Sequence, residues 1–188
     1  MTTLVIFGIL VVILLIWWIA LHNVLVRARN ACQESWADVD AELQRRYDLI
    51  PRLVEVVRAH AQHERQVLES VTQARTRALA SRGPVDQQAR DEQALVGDLR
   101  SLLSLSEAYP ALTADRSFLR LQEELVTTED RLQAARRFYN ANVRDFTNRC
   151  ELLPSSLVAG FGGFQPPGYF QIDRVTAEAP RIGGNLPR

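Results

Sequence analysis

Residues 43–55 read LQRRYDLIPRLVE, and the fold turns on how Pro51 is read. Apolar residues at three- and four-residue spacing lead into this stretch and away from it, as on one face of a helix. A proline inside a helix costs about 3 kcal/mol, because it lacks the N–H and its ring meets the carbonyl four residues back. Pro51 therefore marks either a kink in one helix or a corner between two. The corner is favoured. With Asp48 as N-cap, Pro51 takes the third helical position, where its missing N–H is an orphan anyway. Arg45 and Arg46 then close the preceding helix, well placed for its dipole. On this reading Arg45, Arg46, Asp48 and Pro51 stand exposed at the corner, where a protein partner would meet them first. Their plainer role is capping and pairing, with Glu42 four residues before Arg46.

Upstream, LVIFGILVVILLIWWIAL fills residues 4–21, at the threshold of about 18 apolar residues for a membrane span. No charged residue occurs from 2 to 26. Trp17 and Trp18 lie near the end of the run, where aromatic rings favour the headgroup level. The missing basic n-region, the long apolar core and the lack of an A-x-A-like site favour an uncleaved signal-anchor over a cleaved signal peptide. Arg27 and Arg29 follow the run and no basic residue precedes it. The positive-inside rule then places the N-terminus outside and the domain in the cytoplasm.

The 188 residues carry 22 acidic and 22 basic side chains. That balance gives no electrostatic case for nucleic-acid binding. Two cysteines, Cys32 and Cys150, make no disulfide scaffold and fit no zinc spacing, so they read as reduced, partly buried thiols. Beyond the anchor, helical stripes succeed one another: Leu25 to Leu43, Leu53 to Ala78, Leu95 to Tyr109, and Phe118 to Cys150. Gly83 suits a left-handed cap and Pro84 opens the next helix. Residues 111–115 read as a loop, with Thr113 or Asp115 capping the last helix.

The expected fold is all-α: an N-terminal transmembrane helix followed by an antiparallel, up-and-down four-helix bundle. Its parts are a short N-terminus at 1–3, the anchor at 4–22, and helices near 23–47, 49–80, 85–108 and 115–151. An apolar segment at 152–170 and a disordered tail at 171–188 follow. Parity brings the end of the fourth helix back to the bilayer, next to LLPSSLVAGFGGFQPPGYF (152–170). That segment either docks at the membrane interface, with Phe161, Phe164, Tyr169 and Phe170 as anchors, or folds back over the open end of its own bundle. A second helix of about 48 Å would overshoot a first of about 39 Å. Its basic end, Arg75, Arg77 and Arg82, would then join Trp17 and Trp18 at the headgroups.

No catalytic constellation emerges. HAQHE (60–64) brings His60, His63 and Glu64 near one helix face, but a bundle metal site needs further Glu and Glu-x-x-His ligands. No nucleophile has a base and an orienting group, and no phosphate or dinucleotide fingerprint occurs. No metal or cofactor is expected. Asn142 on the fourth stripe is the polar oddity, suited to fixing register.

Taken together, RRYDLIP, AYP, F-L-x-LQ-EEL-x-x-TE, FYN and PS-x-L-x-AG, spread over residues 20–170, resemble the LemA family of bacterial membrane proteins. The resemblance implies an anchored four-helix bundle of the mirror kind in the bacterial inner membrane. It implies association with other membrane proteins, membrane metalloproteases among them, and with the organisation of membranes. It leaves homo-oligomerisation open and supplies no catalytic residue. His60 stands where the family usually has an aromatic, and GFGGF replaces a more apolar run. The function expected is a non-enzymatic scaffold or adaptor for protein partners. The alternative is a lipid-binding protein acting through the apolar segment and the basic helix end.

Overall fold

The computed structural model describes residues 1–172; the expected tail from 173 onward lies outside the described residues. Its regular elements are all helices: α1 Thr2–His60, α2 Arg65–Ala80, α3 Val85–Ala108, α4 Pro110–Thr113, α5 Arg116–Glu151 and α6 Ser155–Gly162. The chain is therefore all-α, with a long apolar helix at its N-terminus.

The corner expected at residues 47–49 is absent. α1 continues through Pro51 to His60, so the proline lies inside one helix. One hydrogen bond compensates for the missing N–H. Pro51 has no N–H to give the carbonyl of Tyr47, and Arg75 of α2 supplies the donor, its Nε lying 2.7 Å from Tyr47 O. Pro51 itself is exposed, while Ile50 and Leu53 on either side are buried. Packing on both sides of the proline thus holds the helix where propensity alone would end it.

The reversal falls instead at residues 61–64. Ala61 N–H still donates to Val57 O, and Glu64 N–H turns back to Ala61 O at 3.2 Å. The Glu64 carboxylate accepts the hydroxyl of Tyr109 at 3.0 Å. α2 therefore holds 16 residues, about 24 Å rather than about 48 Å. The overshoot that was to carry Arg75, Arg77 and Arg82 to the headgroups has no basis in a helix this short.

Smaller boundaries shift too. Among the described residues the left-handed glycine is Gly163, not Gly83; α2 closes at Ser81 in an extended conformation. Pro84 caps α3 rather than opening it. Pro110 starts the short α4 where a loop was expected, the first helical position suiting a residue without N–H. Asp115 is the cap of α5, its carboxylate accepting the N–H groups of Ser117 (2.7 Å) and Phe118 (3.1 Å). Those bonds hold the Asp115 carboxyl below its ordinary range. Ile172, assigned to the tail, is buried.

The chain forms two compact units. The first comprises Met1–Asp40 and Ala134–Phe170. Here α1 and α5 face each other through Leu25, Cys32, Val39, Tyr139, Val143 and Phe146, all buried. Each apolar side chain so covered contributes about 1.5–3 kcal/mol. The second unit takes in Ala41–Gln133. Its core is supplied by the remaining parts of α1 and α5 with α2, α3 and α4, through residues such as Leu43, Val71, Leu99, Leu112 and Phe118. The buried positions follow the helical stripes read from the sequence.

Candidate functional site

Within the first unit, the apolar run of α1 has a mean hydropathy of 3.1 over 18 residues and none of these residues is buried. A helix apolar all round and uncovered needs lipid around it. Its last rings, Trp17 and Trp18, are partly exposed, and Trp18 touches Phe161.

Residues 152–170 divide between positions buried on the protein and positions left exposed. Pro154 caps α6, in which Val158 and Ala159 are buried while Leu157 and Phe161 are exposed. GFGGF then turns the chain. Gly163 takes φ 65° and Phe164 N–H donates to Ala159 O at 3.1 Å. Gly162 leaves room for the Phe164 ring, which a Cβ there would meet at 2.6 Å. Phe164 packs edge-on to His22 and Phe146, with the Arg29 guanidinium 5.7 Å from its ring centre.

Beyond the turn the chain folds back on α5. Tyr139 donates its hydroxyl to Gly168 O at 3.0 Å. Burial of that phenol pushes it up to about 12. Asn140 pairs with Phe170 in both directions, and Phe170 is fully buried against Trp36. Phe170, expected to anchor in lipid, is thus a core residue. Phe164 is half-buried, Phe161 and Tyr169 are exposed. Sequence reading missed Asn140 and Tyr139, and placed the polar role on Asn142, whose Nδ2 donates to Ala31 O at 3.3 Å.

The second unit holds the residues expected to dock a partner. Arg45 is exposed and pairs with Glu42 at 3.4 Å, Asp48 accepts from Gln44 at 3.0 Å, and Pro51 is exposed. Arg46 departs from expectation: it is fully buried. Its guanidinium donates to Glu129 of α5 at 2.8 Å and to Glu92 of α3. Tyr47 donates its hydroxyl to the other oxygen of Glu92. One cation thus faces two buried carboxylates. Burial pushes the Glu92 carboxyl up despite the adjacent guanidinium. Burial opposes the Arg46 charge, but Glu92 and Glu129 more than offset it and raise its pKa. Arg75, expected at the membrane, is engaged by Tyr47 O; Arg77 and Arg82 are exposed.

The HAQHE stretch does not lie on one helix face. His60 ends α1, near Asp115 at 3.7 Å, and Glu64 binds Tyr109. Among the described residues no group of three His, Cys, Asp or Glu side chains converges to hold a metal ion. Cys32 and Cys150 are free thiols. Burial raises both, with Asp145 adding at Cys32 and Glu151 at Cys150. Thiols held protonated are poor nucleophiles.

Comparison with known proteins completes the picture. The magnetosome proteins MamQ 1 and MamQ 2 of Paramagnetospirillum magneticum are each 23% identical over 190 residues, covering 88% of this chain and 70% of theirs. Protein LemA of Metamycoplasma hominis is 25% identical over 144 residues, covering 76% of this chain and 65% of its own. The model of the LemA family matches residues 35–183, and by that match the chain belongs to the LemA family.

Proposed function

We infer that this protein is a non-enzymatic, membrane-anchored helical scaffold, an adaptor that holds protein partners at the cytoplasmic face of the bacterial inner membrane. The observation that carries the reading is α1: the apolar run and the charged helix after it form one element with no linker between them. Buried polar groups support it by being committed to structure. Arg46 is held by two carboxylates, Tyr139 and Asn140 bind backbone, and both thiols are kept protonated. Partner-facing chemistry is left to the exposed groups beside Pro51. Arg45 and Leu49 border a groove of about 420 Å³ with Arg120 and Glu123, and Pro51 borders another of about 430 Å³ with Thr72 and Arg75. The basic flank of Arg27 and Arg29 supports the cytoplasmic orientation. A membrane metalloprotease or another membrane protein is the class of partner this placement suits.

A photoreactive residue in place of Arg45 or Pro51 tests the adaptor reading in living cells. One discrete protein adduct, lost when Glu123 is changed to Lys, is the expected result. Membrane-inserted protein giving no adduct at either position overturns it. A cysteine added at exposed Gln87 tests orientation. It should stay unlabelled by a membrane-impermeant maleimide until the cells are permeabilised, and labelling of intact cells reverses the topology.

A further inference from the structure

We propose that α6 is a second membrane contact, an interfacial helix that lies in the headgroup–acyl boundary beside the anchor. The proposal rests on the anchor reading of α1 and adds a lipid-binding face to it. Trp18 sits three residues before the end of the apolar run, and the ring of Phe161 lies 5.7 Å from it, tilted by 58°. Two rings in contact share one depth, so Phe161 enters the bilayer where Trp18 does, at the level aromatic side chains favour.

The faces of α6 divide accordingly. Val158 and Ala159 are buried on the protein, whereas Phe161 is 83% exposed and Leu157, one turn earlier, 55%. Leu153, just before the helix, is 74% exposed and extends the same apolar surface. No charged residue occurs between Glu151 and Asp173. Exposed apolar surface of this extent marks an interaction site. Its continuity with a run that lipid must cover names the occupant as the bilayer rather than a protein. The chain on either side fits an interfacial depth. Phe164 leaves the boundary to pack on His22, with Arg29 above its ring, where a guanidinium meets headgroups. Glycine is used at 160, 162 and 163, and Pro154 precedes the helix; such residues end a helix quickly, giving a short element that lies on the bilayer instead of spanning it.

Benzoylphenylalanine at Leu157 and at Phe161 tests this in the full-length protein, in vesicles of phosphatidylcholine and phosphatidylglycerol. Both positions are exposed, so the probe does not disturb the core. The same probe at Ile13 reports insertion of the anchor, and at exposed Phe138 on α5 it serves as comparator. Lipid adducts at 13, 157 and 161 with none at 138 are expected. Adducts at 13 with none at 157 and 161, or with protein adducts there, overturn the α6 proposal and leave the anchor standing. No lipid adduct at 13 overturns the anchor and the proposal together.

Discussion

Asn140 and Phe170 are joined in both directions: the side-chain amide donates to the Phe170 carbonyl at 3.0 Å and accepts its N–H at 2.9 Å. One side chain thus completes both backbone groups of a residue outside any helix, which would otherwise be buried without partners. Asn140→Ala should cost about 1–3 kcal/mol, the penalty for stranding such groups. Faster hydrogen exchange at Phe170 and altered Trp36 fluorescence would report release of the segment. Asn140→Asp keeps an acceptor but sets a carboxylate against the carbonyl, so it should be at least as damaging. Unchanged exchange in both variants would show that burial of the Phe170 ring alone holds the segment.

The proline question becomes a coupling experiment. Arg75→Ala removes the hydrogen bond that its side chain gives the Tyr47 carbonyl, and should lower stability by about 0.5–1.5 kcal/mol, the net worth of a typical hydrogen bond. Pro51→Ala restores the helical N–H. In that background Arg75→Ala should cost clearly less, a coupling that thermal melts of the two single variants and the double variant can read. Equal costs in both backgrounds would mean that Arg75 acts through something other than the carbonyl.

The stripes of apolar residues made the helices legible, because 3.6-residue periodicity survives any detail of packing. What they hid was Pro51, since the signal for a corner and the signal for a proline accommodated inside one helix are the same residue. Only Arg75, 24 positions away, distinguishes them. The buried ion group was closer to reach. Arg46 is three residues past Leu43, Glu92 three before Leu95, and Glu129 four past Leu125, each in phase with buried neighbours. The expectation for Arg46 is an exposed corner charge, because surface is the commoner place for arginine. Phe170 shows the opposite limit. Composition marked 152–170 as needing cover, but which ring stays exposed and which the protein covers depends on a turn at Gly163 and on partners in FYN.

Gly162 and Gly160 offer a controlled pair in α6. A Cβ at 162 would lie 2.6 Å from Cε2 of Phe164, whereas at 160 nothing lies within 4 Å. Gly162→Ala should push the Phe164 ring off His22 and Phe146 at a cost of about 1–3 kcal/mol. Gly160→Ala should be neutral, or favourable by about 0.5–1 kcal/mol through helix propensity. Melting curves in the same detergent separate them. Two equal, small effects would show that Phe164 can move aside freely.

Arg46 and Glu92 give the pH prediction. Arg46→Ala strands two carboxylates in the interior and should cost about 3–5 kcal/mol, as for other buried pairs that lose one member. Glu92→Gln keeps the shape, leaves Glu129 to pair with Arg46, and should cost far less. Burial raises the Glu92 carboxyl above 4.5, so over the window above that value the folded state holds a proton the unfolded chain has released. Stability from this group is fully present below 4.5 and falls as pH rises, until folded Glu92 itself ionises. Melting temperature, followed from pH 4.5 toward neutrality, should therefore fall in the wild type relative to Glu92→Gln, whose side chain has no proton to lose. Parallel curves for the two proteins would mean that Arg46 keeps Glu92 ionised after all, with the guanidinium outweighing burial.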